Sequence, residues 1–147
     1  MESTTSSAVA LNGLGLLMTA NKEYKKADSL FIQSLNLHKA LFTENHPSTA
    51  MVYLNYAILK IKQKEIEQAR GLLTKSLEIN KSFFDNEHDV FADTYVAFGD
   101  LAKKEKQLDT AKDYYQKALD IYLTKFETSH VKVVSVKRKW LSDNFCD

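Results

Sequence analysis

Three histidines, His46, His88 and His130, stand 42 residues apart, and the rest of the chain keeps the same period. Ala27, Ala69 and Ala111 share one column, Leu35, Leu77 and Leu119 another, and Phe42, Phe84 and Phe126 a third. Leu37, Ile79 and Ile121 match, as do Tyr24, Ile66 and Leu108, while Phe31, Leu73 and Tyr115 hold a large residue four places after the alanine. Self-similarity at such a period means a stack of equal supersecondary units, each burying its apolar face on the next. Every unit carries two amphipathic segments separated by a polar break, at Asn21 to Glu23, Gln63 to Glu65 and Lys104 to Gln107. Each unit therefore reads as a helical hairpin.

Composition agrees, because four glycines and one proline in 147 residues leave few turn-formers and favour helix over sheet. In the second halves, Ile66, Ala69, Leu72, Leu73, Ser76, Leu77 and Ile79 recur at helical spacing and define the face that packs on the first helix. The column Ala27, Ala69, Ala111 and its counterpart Gly15, Ala57, Gly99 are small where two helices cross, since a larger side chain would force the axes apart. Helices are predicted near 6–20 and 23–43, 47–63 and 66–84, 89–105 and 108–126, with a last one at about 131–145. The hydroxyl run Ser3 to Ser7, together with Ser48 and Asp89, would start the first helices. Trp140 falls in the column of Leu14, Tyr56 and Phe98, so the last helix keeps the register and closes the open end of the core.

These residues carry a resemblance to the tetratricopeptide repeat: Leu11, Tyr53 and Tyr95 lead to Leu14-Gly15, Tyr56-Ala57 and Phe98-Gly99, then to the alanine column and the large residue after it. The period of 42, with His46-Pro47-Ser48-Thr49-Ala50, is similar to the longer repeats of the kinesin light chain group. The Leu-Asn-Asn-Leu-Ala core of that group has its counterparts in Leu11-Asn12-Gly13-Leu14-Gly15 and Tyr53-Leu54-Asn55-Tyr56-Ala57. The resemblance implies an all-α helical-hairpin solenoid forming a single domain over 1–147, with repeats 6–45, 46–87 and 88–129 and a capping helix at 130–147. It implies a protein-interaction module or adaptor rather than an enzyme.

Charge supplies no footprint for a polyanion, with 20 basic against 19 acidic side chains, so neither nucleic acid nor a membrane surface is an expected partner. The single Cys146 allows no internal disulfide and fits a reducing compartment, with the cytoplasm the expected location. An apolar run from Ala8 to Met18 has no cation before it, which argues against a secretory or transit signal, and no run reaches the roughly 18 residues of a membrane span. No Gly-rich phosphate loop, nucleophile elbow or cysteine pair is present, and no catalytic set or cofactor is expected. The histidine column could suggest metal, but equivalent positions in successive repeats lie about 10 Å or more apart, against ligand distances near 2 Å. Those histidines read as repeat-start residues at the inter-repeat turn. His38, in register with Asn80 and Tyr122, reads as solvent-side. Lys132, Lys137, Arg138 and Lys139 make the last helix basic, partly offset by Asp143 and Asp147, and read as a solvated face.

In tetratricopeptide arrays the first helix of each hairpin lines the concave surface. By register this selects Val9, Asn12, Leu16 and Thr19, then Met51, Leu54, Asn55, Ile58, Ile61 and Lys62, then Asp93, Val96, Asp100, Lys103 and Lys104. Met51, Leu54, Ile58 and Ile61 lie opposite the core-facing Tyr53, Tyr56 and Ala57, so this helix is apolar on both sides and something should cover it. The expected peptide-binding set is Asn12, Leu16, Met51, Leu54, Asn55, Ile58, Ile61, Lys62, Val96, Asp100 and Lys104, with Met51, Leu54 and Ile58 as an apolar floor. The kinesin light chain resemblance implies that Asn12 and Asn55 hold a peptide backbone, although Val96-Ala97 breaks the asparagine ladder in the third unit. A carboxylate clamp of the chaperone-adaptor kind is not expected, because Leu16, Asp93 and Ala97 occupy its positions and only Asn55 fits. Two other readings stand beside the groove: self-association or a permanent complex that covers the stripe, and a longer array on which the last helix packs.

Overall fold

The computed structural model describes residues 2–145, with side chains from 4 to 142. Cys146, Asp147 and the Asp143 side chain, which entered the sequence reading, lie outside the described residues. Among those residues the chain is all helical: α1 Glu2–Ala20, α2 Tyr24–Leu41, α3 Pro47–Lys62, α4 Ile66–Lys81, α5 Asp89–Lys104, α6 Leu108–Lys125 and α7 Val131–Phe145. They form two compact units, Met1–Phe83 and Phe84–Asp147.

The hairpin turns are built alike. Lys22, Lys64 and Lys106 each adopt a φ of 63°. In each case the next backbone N–H reaches back to close the helix, from Glu23 to Met18, Glu65 to Lys60 and Gln107 to Ala102, all at 2.9 Å. This is the left-handed C-terminal cap that glycine usually supplies, here occupied by lysine.

The histidine column acquires a specific role. Nδ1 of His46, His88 and His130 accepts the backbone N–H of Ser48, Val90 and Lys132 at 3.0, 3.2 and 3.2 Å. Each imidazole lies against the phenylalanine four residues earlier, with ring centroids 4.7, 4.2 and 3.9 Å apart. Histidine therefore satisfies an orphan donor at each of these helix starts, as Ser, Asp or Asn would. Ser48 and Asp89, expected to start those helices, lie inside them. The Ser3 to Ser7 run likewise lies inside α1, which begins at Glu2 rather than near residue 6, because no glycine or proline interrupts residues 2–7.

In the first unit α1 pairs with α2, α3 with α4, and α2 packs on α3. Ala27 and Phe31 of α2 meet Val52 and Leu59 of α3, all fully buried. The small columns do what the spacing required, since Ala27, Ala57 and Ala69 are inaccessible to solvent. A Cβ built on Gly15 would sit 2.7 Å from the Phe31 ring, so α1 and α2 approach as they do only because no side chain intervenes. Polar groups also cross the hairpin: the Ser34 hydroxyl donates to the Ala8 carbonyl and that of Ser76 to Ala50, each at 2.8 Å. His38 is 3% exposed, which corrects the solvent-side reading. Its Nδ1 bonds the Ser34 carbonyl at 2.8 Å, and Asn80 and Tyr122 in the same column are buried too.

In the second unit α5 pairs with α6 and α7 packs on α6. Ala111, Tyr115, Ala118 and Tyr122 of α6 close on Ala92 of α5 and on Val133 and Val136 of α7, with Trp140 packed at the edge.

Candidate peptide-binding face

The first helices of the two hairpins in the first unit touch, and their asparagines meet. The Asn55 Nδ2 donates to the Asn12 Oδ1 at 3.2 Å. Asn12 is 8% exposed, a correction to its expected direct contact with a peptide, so the groups left for a further partner are those of the half-buried Asn55: the second N–H of its amide and its carbonyl oxygen. A peptide unit presents the complementary acceptor and donor.

Around that pair the face is apolar and uncharged. Val9 and Met51, at equivalent register, are 58% and 56% exposed, and Leu16 is also exposed, with Leu54 and Ile58 half-buried beside them. Ile61 is 4% exposed and belongs to the interior rather than to the face, a correction to the sequence reading. Thr19 is likewise buried, its hydroxyl donating to the Gly15 carbonyl at 2.7 Å. Lys62 is exposed at the end of α3. Lys60 is nearly buried and turned away, with its Nζ 2.7 Å from Asp28 of α2, which also accepts the Tyr56 hydroxyl at 2.8 Å. Burial works to raise the Asp28 pKa, but the hydrogen bonds from Lys60 and Tyr56 outweigh it and hold the carboxyl below its ordinary value. Burial, and then the Asp28 charge, push the Tyr56 phenol up.

The second unit places its register equivalents differently. Asp93 and Asp100 stand at the register of Val9 and Leu16, but neither carboxylate is open. Asp100 accepts the Tyr115 hydroxyl at 2.6 Å and the Lys139 ammonium at 2.6 and 2.8 Å. Asp93 accepts Lys132 at 3.1 and 3.3 Å and also the Tyr122 hydroxyl. Both acids tie α5 to α7, which removes Asp100 from the peptide-contact role expected of it. Val96 is half-buried against the core of this unit, while Lys103 reaches the Ser142 hydroxyl at 3.1 Å and Lys104 is exposed. Of the four cations that made the last helix look basic, Lys132 and Lys139 are therefore neutralised within the fold.

Sequence reasoning missed a cleft of about 360 Å³ in the first unit, lined by Glu44, Asn45, Tyr53, Lys75 and Phe83 among others. The Tyr53 hydroxyl donates to Glu44 at 2.9 Å, and Lys39 and Lys75 each lie 3.6 Å from the same carboxylate. The Tyr53 hydrogen bond, then the two lysines, hold the Glu44 carboxyl below its usual value. The Glu44 carboxylate is thus fully engaged by the tyrosine and both lysines. Among the described residues no three His, Cys, Asp or Glu side chains gather as a metal site, and no helix is long and apolar enough to cross a membrane.

A family profile described as tetratricopeptide repeat matches residues 6–82 and 49–124. No sequence among the curated proteins matches significantly. Solved structures that resemble the chain include BtubC (BKLC) from P. vanneervenii, at 17% identity and a TM-score of 0.71 over 95% of this chain and 59% of that one. A kinesin light chain protein of Podosopora anserina with nearly identical TPR-like repeats gives 15% identity and 0.81 over 97% and 67%. The first TPR domain of Spaghetti (RPAP3), bound to the HSP90 peptide SRMEEVD, gives 16% and 0.60 over 96% and 95%. The chain thus spans about three fifths of the first of these proteins and two thirds of the second. At these identities the likeness is one of fold.

Proposed function

The chain belongs to the tetratricopeptide repeat family, and from that membership we propose that it is an adaptor that takes a partner's peptide or helix on the α1–α3 face of its first unit. The repeats of this family serve as protein-interaction modules rather than enzymes. What carries the finer reading is the neutral apolar surface of Val9, Leu16, Met51, Leu54 and Ile58 around the Asn12–Asn55 pair, in which Asn55 keeps one donor and one acceptor for a peptide backbone. The RPAP3 domain binds a peptide with two glutamates and a terminal aspartate. Lys62 at the end of α3 is the one exposed cation among the residues assigned to this face, too little to attract such a sequence, so its occupant is an apolar segment. A cytoplasmic location is part of the proposal, following from the lone cysteine.

The test is affinity capture from cell extract with wild type and with Met51→Asp combined with Ile58→Asp. The variant is expected to lose the captured protein while keeping helical content and thermal stability. Loss of folding together with binding would assign the stripe to the core instead. A second reading, a subunit whose face is covered by another copy, is favoured by the same scarcity of charge, since two copies would meet with little repulsion. Light scattering separates the two: a monomer near the 16.8 kDa chain mass supports the adaptor, and a dimer dissociated by the double variant supports self-assembly.

A further inference from the structure

Helix α7 stands in the register of a hairpin's first helix, yet the face that should meet a second helix is open. In α5 that face is closed by α6 and in α3 by α4, where Ala92, Gly99, Ala50 and Ala57 are all buried. The α7 equivalents are Val134 and Leu141, larger side chains, with Leu141 48% exposed and Val131 on the same face 74% exposed. A helix could not approach α7 as closely as α6 approaches α5, because Gly99 already lacks room for a single added carbon against Tyr115. A helix seated on this face would therefore lie farther from α7 than α6 lies from α5.

The charge of the face says which kind of helix. At 100° per residue, Lys137 and Arg138 fall on opposite flanks of the Val134–Leu141 stripe. Both are exposed, and neither has an ion pair among the described residues, unlike Lys132 and Lys139. Beside the stripe, Leu119, Trp140 and Leu141 wall an apolar pocket of about 260 Å³ with Lys137 at its rim, which has room for one aliphatic or aromatic side chain.

The geometry points to α7 as a docking surface for an acidic amphipathic helix of another protein, one with an apolar stripe flanked by carboxylates and an anchor side chain seated by Trp140. The site is separate from the α1–α3 face. A second copy is disfavoured because α7 against α7 would oppose cation to cation. Nucleic acid would meet the cations but gain nothing from the stripe between them. A lipid surface would engage an exposed tryptophan, whereas Trp140 is packed against the Val133–Val136 core.

The experiment uses two fluorescent peptides of about five helical turns, each with a leucine stripe flanked on both sides by glutamates in one and lysines in the other. The whole chain is expected to bind the glutamate peptide and not the lysine peptide. Lys137→Glu with Arg138→Glu should weaken binding by about tenfold or more and transfer the preference to the lysine peptide. Leu141→Asp, or Val131→Asp should the first variant lose helical signal, should also abolish binding, and Met51→Asp with Ile58→Asp should leave it unchanged. Equal affinity for the two peptides, no affinity for either, or indifference to the charge reversal would overturn the proposal. So would sedimentation with phosphatidylserine vesicles without peptide binding, or a concentration-dependent dimer abolished by Leu141→Asp.

Discussion

Replacing Gly99 by alanine should destabilise the protein although alanine is the better helix former. An alanine methyl at this position in α5 would lie 2.7 Å from Cδ1 and 3.0 Å from Cζ of Tyr115, and nearer still to Cε1. The ring has nowhere to go: it is fully buried, and its hydroxyl is held by Asp100 at 2.6 Å. Helix propensity favours alanine by about 1 kcal/mol. Overpacking costs about 1–3 kcal/mol, and straining a hydrogen bond to a carboxylate forfeits part of another ~1.5–3 kcal/mol. The net expectation is a loss of about 2 kcal/mol in urea unfolding. The same substitution at Gly13 or Gly71, where nothing lies within 4 Å of the added carbon, should instead gain ~0.5–1 kcal/mol. The second repeat supplies the repair, because it carries Ala57 and Leu73 where the others carry glycine and an aromatic ring. Gly99→Ala with Tyr115→Leu should therefore be more stable than the sum of the single variants by about 1 kcal/mol or more. A Gly99→Ala protein as stable as wild type, or a strictly additive pair, would refute this account of the hairpin contact.

Three further outcomes follow from the local geometry. His88→Ala should cost about 1 kcal/mol through the lost cap, and His88→Asn should recover part of it, as read from thermal unfolding. Lys64→Gly should raise stability by ~0.5–1 kcal/mol because φ at this position is positive, whereas exposed Lys62→Gly inside α3 should lower it. The Asp28 carboxyl, held below its ordinary value, contributes stability that is present above the usual aspartate range near pH ~4 and is lost as pH falls through the depressed folded value. Tyr56→Phe removes one of its two hydrogen-bond donors and should move its NMR titration upward and that acid limb with it.

The repeat period and the small columns carry the helix boundaries, because hairpin packing makes the same demand at the same place in each unit. What escaped was chemistry that depends on which atoms meet. His46, His88 and His130 were placed at the turn, but their capping role needs the ring folded back over Phe42, Phe84 and Phe126, an i−4 pairing visible in the sequence and not drawn from it. His38 looked solvent-side because histidine is polar, although its register partner Tyr122 pointed inward. Asp100 looked available to a ligand because the claim of Lys139, 39 residues away, is made across two helices and leaves no local pattern. Asn12 and Asn55 are not register equivalents, so no repeat column pairs them. The apolar stripe of α3 was legible as a stripe, while Ile61 at its end could be assigned to the interior only from packing.

The most direct test of the central claim is a ¹³C-methyl methionine NMR titration of the protein with the partner recovered by affinity capture. Met51 projects from the α1–α3 face, whereas Met18 packs at the edge of the α2–α3 core. If the face binds the partner, the Met51 methyl signal shifts to saturation at stoichiometric partner while Met18 stays in place. A Met51 signal unmoved by a saturating partner would contradict the account.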